Sequence, residues 1–250
     1  MSFLYGIHSV LEALKADAGR IEKITFQRGL YGPRLQQVID LARQAGRPIS
    51  FEDKAALDRK AGDARHQGVL CQVSEAPTLE VEDLLQQAST PALFVVLDGI
   101  EDPQNLGAIL RSAEVAGADG VFLPRRRAAG LTGSAVKASA GAASHIRIAR
   151  FSSPGCLIES LKQRGLWLTG LAAEAGKNLW EVDFRLPTVL VLGGEGGGLH
   201  RLVRKKCDFL ASIPVRGKVG SYNVSVAAGM ALYEVLRQRS SAPDGEGRKR

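Results

Sequence analysis

The sequence predicts an α/β protein of two domains, on three observations. Residues 1–74 alternate amphipathic helical patterns with short strands, residues 75–91 form an acidic, proline-bearing connection, and near-continuous apolar runs separated mostly by helical patterns follow Pro91. The 250 residues suffice for one large or two modest cores. Hydrophobic residues at 45% and charged residues at 24% are ordinary for a soluble globular chain, which excludes disordered and fibrous classes.

In the first domain, apolar spacing predicts helices over residues 7–16, 35–45 and 53–61. Strands are predicted over residues 23–27, 48–51 and 69–73. The stretch 74–91 (SEAPTLEVEDLLQQASTP) sets two prolines and mostly acidic or polar residues around one short helical pattern, so domain one is expected to span 1–74 and a linker 75–91. The second domain, 92–239, carries apolar runs at 92–97, 121–123, 167–172, 188–192 and 209–213. Such runs suit a mostly parallel sheet covered on both faces. A last helix over 224–238 begins with Ser225, Ala227, Ala228 and Gly229, small residues that permit close packing on another element or subunit. Residues 240–250 (SSAPDGEGRKR) read as a disordered tail, and no period of about 20 to 50 residues marks a solenoid or propeller.

Charge narrows the partners. The net charge of +7 favours a polyanion without identifying one. The span 120–158 is a stronger pointer, because it holds Arg125, Arg126, Arg127, Lys137, Arg147 and Arg150 and no acid, as a phosphate-facing surface would. For the arginine triplet alone, a solvated face is an equal alternative. The cluster RLVRKK at 201–206 adds a second basic stretch. Cys71, Cys156 and Cys207 lie far apart without CxxC spacing, which suggests neither a disulfide framework nor a zinc site and fits a reducing compartment. His8, His66, His145 and His200 lack HxxxH or HExxH spacing, so no catalytic metal is expected. The first residues lack the pattern of a secretory signal, and no apolar run reaches about 18 residues. A cytoplasmic protein without a membrane anchor is expected.

Three segments concentrate the remaining polar chemistry. The first is 105–111 (NLGAILR), where Asn105 stands as an expected helix N-cap and Gly117 closes the helix. Arg111, six positions on, falls about 120° short of two turns from Asn105, so helical spacing alone does not align them. The second segment, 192–200 (LGGEGGGLH), follows a predicted strand and precedes a predicted helix, where backbone N–H groups can meet a ligand. It fails GxGxxG because Leu199 replaces the third glycine, and no GxxxxGK[ST] or GxSxG occurs in the chain. A glycine turn alone is the ordinary reading, yet such a turn has no backbone use for Glu195. The third segment, 213–228 (IPVRGKVGSYNVSVAA), joins strand to helix and gathers Ser221, Asn223 and Ser225 at the expected carboxyl end of a strand, the usual ligand position in a parallel sheet.

In this order and approximate spacing, the three segments resemble the three signature motifs of the SpoU, or TrmH, family within the knotted SPOUT methyltransferases. Residues 5–14 (YGIHSVLEAL) and 65–70 (RHQGVL) are similar to the ribosomal-protein-like RNA-binding domain that precedes the catalytic domain in the family's rRNA enzymes. The resemblance implies an N-terminal ribosomal-protein-like α/β domain and a C-terminal domain with a deep trefoil knot, paired as a homodimer. It also implies S-adenosylmethionine as cofactor, held by Gly193, Gly194, Gly198, Ile213, Tyr222 and Val224, where close relatives often have Leu in place of Tyr222. Asn105, Arg111, Glu195, Ser221 and Asn223 would form the catalytic group, with Arg125, Arg126, Arg127 and Lys137 on RNA. The implied reaction is 2′-O-methylation of a ribose, of a guanosine in the peptidyl-transferase region of 23S rRNA.

Methyl transfer is an in-line displacement that requires an aligned ribose hydroxyl and loss of its proton. A guanidinium is a poor base, so the expected role of Arg111 is to clamp the adjacent phosphate and stabilise developing alkoxide while Asn105, Glu195 and Ser221 fix the geometry. The alternatives are a tRNA ribose methyltransferase, which the N-terminal domain disfavours, and a non-catalytic RNA-binding ribosome assembly factor, which the intact polar set disfavours. A nucleotide-binding α/β protein of unrelated chemistry is weaker, given the failed glycine-loop matches.

Overall fold

The structure, a computed structural model, describes residues 2–62, 66–74, 78–125, 131 and 133–240. The chain divides into two compact units, one of Met1–Thr78, Asp102–Arg111 and Ala129–Ile146, the other of Leu79–Glu101, Ser112–Ala128 and Arg147–Arg250.

The first unit opens with β1 (Ser2–Tyr5), α1 (Ile7–Asp17), β2 (Ile21–Gln27), α2 (Pro33–Gln44), β3 (Ile49–Glu52), α3 (Lys54–Ala61) and β4 (Val69–Val73). Its sheet runs β1-β4-β2-β3, with β4 antiparallel to both β1 and β2, and β3 parallel to β2. Helical spacing on α2 puts Leu35, Val38 and Ala42 on one face, where they join Val10, Ile24, Phe26, Val69 and Cys71 in a core. Pro33 opens α2, and Asp53 caps α3 by accepting from the Ala56 N–H at 2.7 Å. Strand β1 lies outside the sequence expectation, because four residues are too short to show alternation. Its pairing with β4 adds an edge strand.

Next come α4 (Val81–Gln86), β5 (Leu93–Asp98), α5 (Pro103–Val115), β6 (Gly120–Pro124), α6 (Gly133–Ala138), β7 (Ile148–Phe151) and α7 (Pro154–Gln163). They are followed by β8 (Trp167–Leu171), β9 (Lys177–Asn178), β10 (Thr188–Gly193), α8 (Arg201–Lys206), β11 (Phe209–Ser212) and α9 (Val224–Ser240). The second unit's sheet is parallel in every pairing, in the order β7-β6-β5-β10-β8-β11-β9. Burial on both faces explains the unbroken apolar runs: all six residues of β5 are buried. Phe94, Val96, Phe122, Leu157, Leu161, Leu168, Val191 and Val203 form its core.

Two expectations need correction. Strand β7 escapes the sequence pattern because Arg147 and Arg150 interrupt its apolar run, although Ile148, Ala149 and Phe151 are buried. Asn105 is not the helix N-cap. Helix α5 starts at Pro103, and Asp102 does the capping, its carboxylate accepting from the N–H groups of Gln104 (3.2 Å) and Asn105 (3.1 Å). Proline's fixed φ suits the first helical turn, which moves the helix start upstream of Asn105. Gly117, at φ 69°, closes the helix as expected. Helix α9 runs to Ser240, and residues 241–250 of the expected tail lie outside the described residues.

Candidate active site

Because β8, β10 and β11 are parallel, their carboxyl ends open on one side, and a cleft of about 610 Å³ lies there. That volume is in the usual range for small-molecule sites. Leu171 to Glu174 line it from the end of β8, Leu192 to Leu199 from the end of β10, and Ala211, Ile213 and Val215 from β11 onward. Ser221, Tyr222, Asn223, Val224 and Ala227 complete the lining with Arg204. The six residues expected to hold a cofactor all line this cleft, as do Glu195, Ser221 and Asn223.

The glycine-rich turn is shaped by close chain approach. A Cβ on Gly193 would lie 2.1 Å from the Gly198 carbonyl carbon, and one on Gly194 would lie 2.2 Å from the Gly99 oxygen. Gly198 donates its N–H to the Gly194 carbonyl at 3.0 Å, folding the turn back on itself, and Gly198 has a φ of 60°. One buried residue fastens both ends. Asp98, the last residue of β5, accepts from the Gly194 N–H through its carbonyl at 3.0 Å. Its carboxylate accepts from the His200 N–H at 2.7 Å and meets His200 Nδ1 at 2.8 Å. Asp98 is 5% exposed.

The third segment brings its polar residues to the same cleft. Asn223 caps α9, its Oδ1 accepting from the N–H groups of Ser225 (2.9 Å) and Val226 (3.4 Å) and from the Ser225 hydroxyl (2.6 Å). Capping therefore orients Asn223 so that its Nδ2 donates to Glu195 Oε1 at 3.2 Å. Tyr222 donates its hydroxyl to the Pro214 carbonyl at 3.3 Å. Ser221 is exposed at the cleft wall.

Asn105 and Arg111 are both carried by α5, in the first unit. Asn105 is buried and Arg111 exposed. Arg125 pairs with Glu80 at 3.2 Å, and with both side chains exposed such a pair is weak enough to exchange for a phosphate. Lys137 is half-buried in α6, and Arg126 and Arg127 lie outside the described residues.

Sequence reasoning missed Asp98 and the residues after β8. The latter had a usable signal, since ligands in parallel sheets collect beyond several strand ends at once. Glu174 there forms an ion pair with Arg204, also in the lining. Asp98 had none, as an aspartate ending a strand ordinarily starts a turn.

His66 is buried, with Nδ1 accepting from the Gly68 N–H at 3.0 Å, which makes Nε2 the donor to Asp58 at 2.8 Å. Burial pushes the thiols of Cys71 and Cys207 up to about 12, with Asp208 adding to the rise at Cys207. Among the described residues no three His, Cys, Asp or Glu side chains gather as a metal site, and no helix is long and apolar enough to cross a membrane.

Residues 92–233 match the SpoU rRNA Methylase family, and residues 3–79 match the family described as RNA 2′-O ribose methyltransferase substrate binding. The chain is 41% identical over 247 residues to the putative TrmH family tRNA/rRNA methyltransferase YacO of Bacillus subtilis, covering 98% of each chain. It is 40% identical over 240 residues to the 23S rRNA (guanosine-2′-O-)-methyltransferase RlmB of Pseudomonas aeruginosa, covering 95% of this chain and 96% of that one. The crystal structure of the SpoU methyltransferase AviRb from Streptomyces viridochromogenes in complex with the cofactor AdoMet superposes with a TM-score of 0.81 at 25% identity, covering 96% and 91%. With the family match spanning 92–233 of 250 residues, and relatives about 40% identical along nearly the whole chain, this protein belongs to the SpoU rRNA methylase family.

Proposed function

We propose that the protein is an S-adenosylmethionine-dependent RNA ribose 2′-O-methyltransferase whose substrate is a guanosine in the peptidyl-transferase region of 23S rRNA. The observation that carries this reading is the cleft at three strand ends, where the second and third motifs meet through the Asn223–Glu195 hydrogen bond. The cleft fits the cofactor: a glycine turn that admits no Cβ at Gly193 or Gly194 leaves backbone at its wall, and Leu192, Ile213, Val215 and Val224 give it an apolar lining. Bound there, the cofactor supplies a methyl group on a sulfonium.

The chain's own residues do the rest. Glu195, fixed by the capped Asn223, and Ser221 orient the ribose, with Asn105 contributing from α5. Arg111 clamps the phosphate next to the target and stabilises the charge that develops as the hydroxyl loses its proton. Arg125, Arg126, Arg127 and Lys137 contact RNA phosphates. Residues 1–74 serve as the substrate-binding domain, 75–91 as linker and 92–239 as the methyltransferase domain, and the protein works in the cytoplasm without a metal.

Two further parts of the reading concern architecture. A homodimer is supported by exposed Val226, Met230, Tyr233 and Leu236, which recur at helical spacing on one side of α9. A deep trefoil knot in the C-terminal domain is part of the same reading and rests on the match to the SpoU family.

The deciding experiment supplies radiolabelled S-adenosylmethionine and deproteinised RNA from cells lacking the protein, then maps the methylated ribose. Label in one 23S rRNA guanosine is expected. Label in tRNA instead would favour the second reading, a tRNA ribose methyltransferase, which the tRNA/rRNA description of the Bacillus relative keeps in view. Cofactor binding without any label would favour an assembly factor.

A further inference from the structure

The loop from β2 to α2, residues 28–32 (RGLYG), is built to present one side chain. Gly29, at φ 78°, occupies the third position of a tight turn closed by the Leu30 N–H donating to the Gln27 carbonyl at 3.4 Å. The flanks are anchored: Arg28 donates its N–H to the Glu52 carbonyl at 2.7 Å, and Gln27 donates to the Gly68 carbonyl at 2.8 Å. Leu30 packs so closely over Gly68 that a Cβ there would lie 2.2 Å from Leu30 Cδ2. Pro33 then starts α2. Between these anchors Tyr31 stands 90% exposed, the largest exposure among the exposed large apolar and aromatic residues of the described chain.

The sequence around it is basic. Residues 23–39 contain Lys23, Arg28 and Arg34 and no acid, and Arg28 Nη2 reaches the Phe51 carbonyl at 3.4 Å across the edge strand β3. Exposing a whole aromatic ring on a pre-shaped loop sacrifices burial that a core would have used. An exposed ring between arginines is the combination that holds unpaired nucleotides, the ring stacking on a base and the guanidinium groups meeting flanking phosphates.

We propose that the β2–α2 loop is a base-stacking platform, in which Tyr31 stacks on an unpaired base of the RNA substrate while Arg28 and Arg34 contact the neighbouring phosphates. The proposal rests on the reading of the protein as an RNA methyltransferase and places single-strand recognition on the N-terminal domain. An exposed ring flanked in sequence by Arg28 and Arg34, within a segment that carries no acid, favours RNA over a protein partner.

The test compares wild type, Tyr31→Ala and Tyr31→Phe as full-length protein at fixed salt. The probes are an unmodified 23S rRNA transcript and a fully paired 20-base-pair RNA duplex. Tyr31→Ala is expected to weaken transcript binding about 5- to 140-fold, the span of one base–aromatic stack, while leaving duplex binding, S-adenosylmethionine affinity and sedimentation unchanged. Tyr31→Phe should stay within about threefold of wild type, because the ring is retained. Transcript affinity of Tyr31→Ala equal to wild type overturns the proposal. So does an equal loss on duplex and transcript, and so does a change in oligomeric state, which would make Tyr31 a protein contact. Wild type that binds the cofactor but no RNA would remove the functional reading and the platform together.

Discussion

Removing the Asp98 carboxylate tests whether one residue at a strand end organises the glycine-rich turn. The carboxylate accepts from the His200 N–H at 2.7 Å and meets His200 Nδ1 at 2.8 Å. Each is a bond to a charged acceptor, worth about 1.5–3 kcal/mol. The His200 side chain is 63% exposed, so water replaces most of what Nδ1 loses, whereas the backbone N–H faces a residue only 5% exposed. Asp98→Ala should therefore destabilise by about 2–3 kcal/mol. At about 2–4 °C per kcal/mol for a chain of this size, that lowers Tm by about 4–12 °C. Asp98→Asn is gentler: its oxygen serves the His200 N–H, and its amide donates to Nδ1 once the imidazole carries its proton on Nε2. A loss of about 1 kcal/mol is expected. The turn these bonds fasten lines the cleft, so calorimetric titration with S-adenosylmethionine should show at least a fivefold weaker Kd for Asp98→Ala and a smaller change for Asp98→Asn. If Asp98→Ala melts within 1 °C of wild type and binds the cofactor equally well, the fastening argument fails.

Other expectations follow the same geometry. Gly194→Ala puts a methyl 2.2 Å from the Gly99 oxygen, a backbone atom that cannot move alone, so cofactor binding should fall below detection in titration. Gly46→Ala, with open space at φ 64°, should cost only about 1–2 kcal/mol and leave cofactor binding intact; the reverse ranking would contradict the close-contact account. Arg111→Lys keeps the charge but loses the two-pronged donor, and a drop in kcat of at least about tenfold is expected with unchanged S-adenosylmethionine affinity; near-full turnover would show that the clamp is not bidentate. Met230→Lys should convert the proposed dimer to monomer in sedimentation, and an unchanged mass would place the interface elsewhere. Maleimide at pH 8 should label Cys156 rapidly, because Cys156 is exposed, while Cys71 and Cys207, held up to about 12 by burial, have almost no thiolate. Fast labelling of a second cysteine would show an opening of the core.

What is legible in the sequence follows from which forces leave local patterns. Parallel strands covered on both faces are mostly apolar, so β5, β6, β8, β10 and β11 stand out in the sequence as near-continuous apolar runs. Strand β7 obeys the same burial rule but is flanked and split by arginines, and β9 has two residues, too few for any pattern. The cleft is legible at coarse grain because a parallel sheet places its carboxyl ends on one side, which makes the glycine turn and the 213–228 segment neighbours by rule. Their actual bond, Asn223 to Glu195 across 28 positions, has no local signature.

Asn105 shows how one helix boundary changes a functional argument. As an N-cap it would have been explained by backbone chemistry alone. With Asp102 holding the cap and Pro103 starting the helix, Asn105 is a buried polar side chain within the first turn of α5, where the cap is already supplied. Capping thus does not account for Asn105, which sits in the segment that also carries exposed Arg111. Glu195 makes the same case in a turn that glycine alone would satisfy. The catalytic assignment therefore rests less on any motif taken singly than on polar residues placed where local folding does not require them.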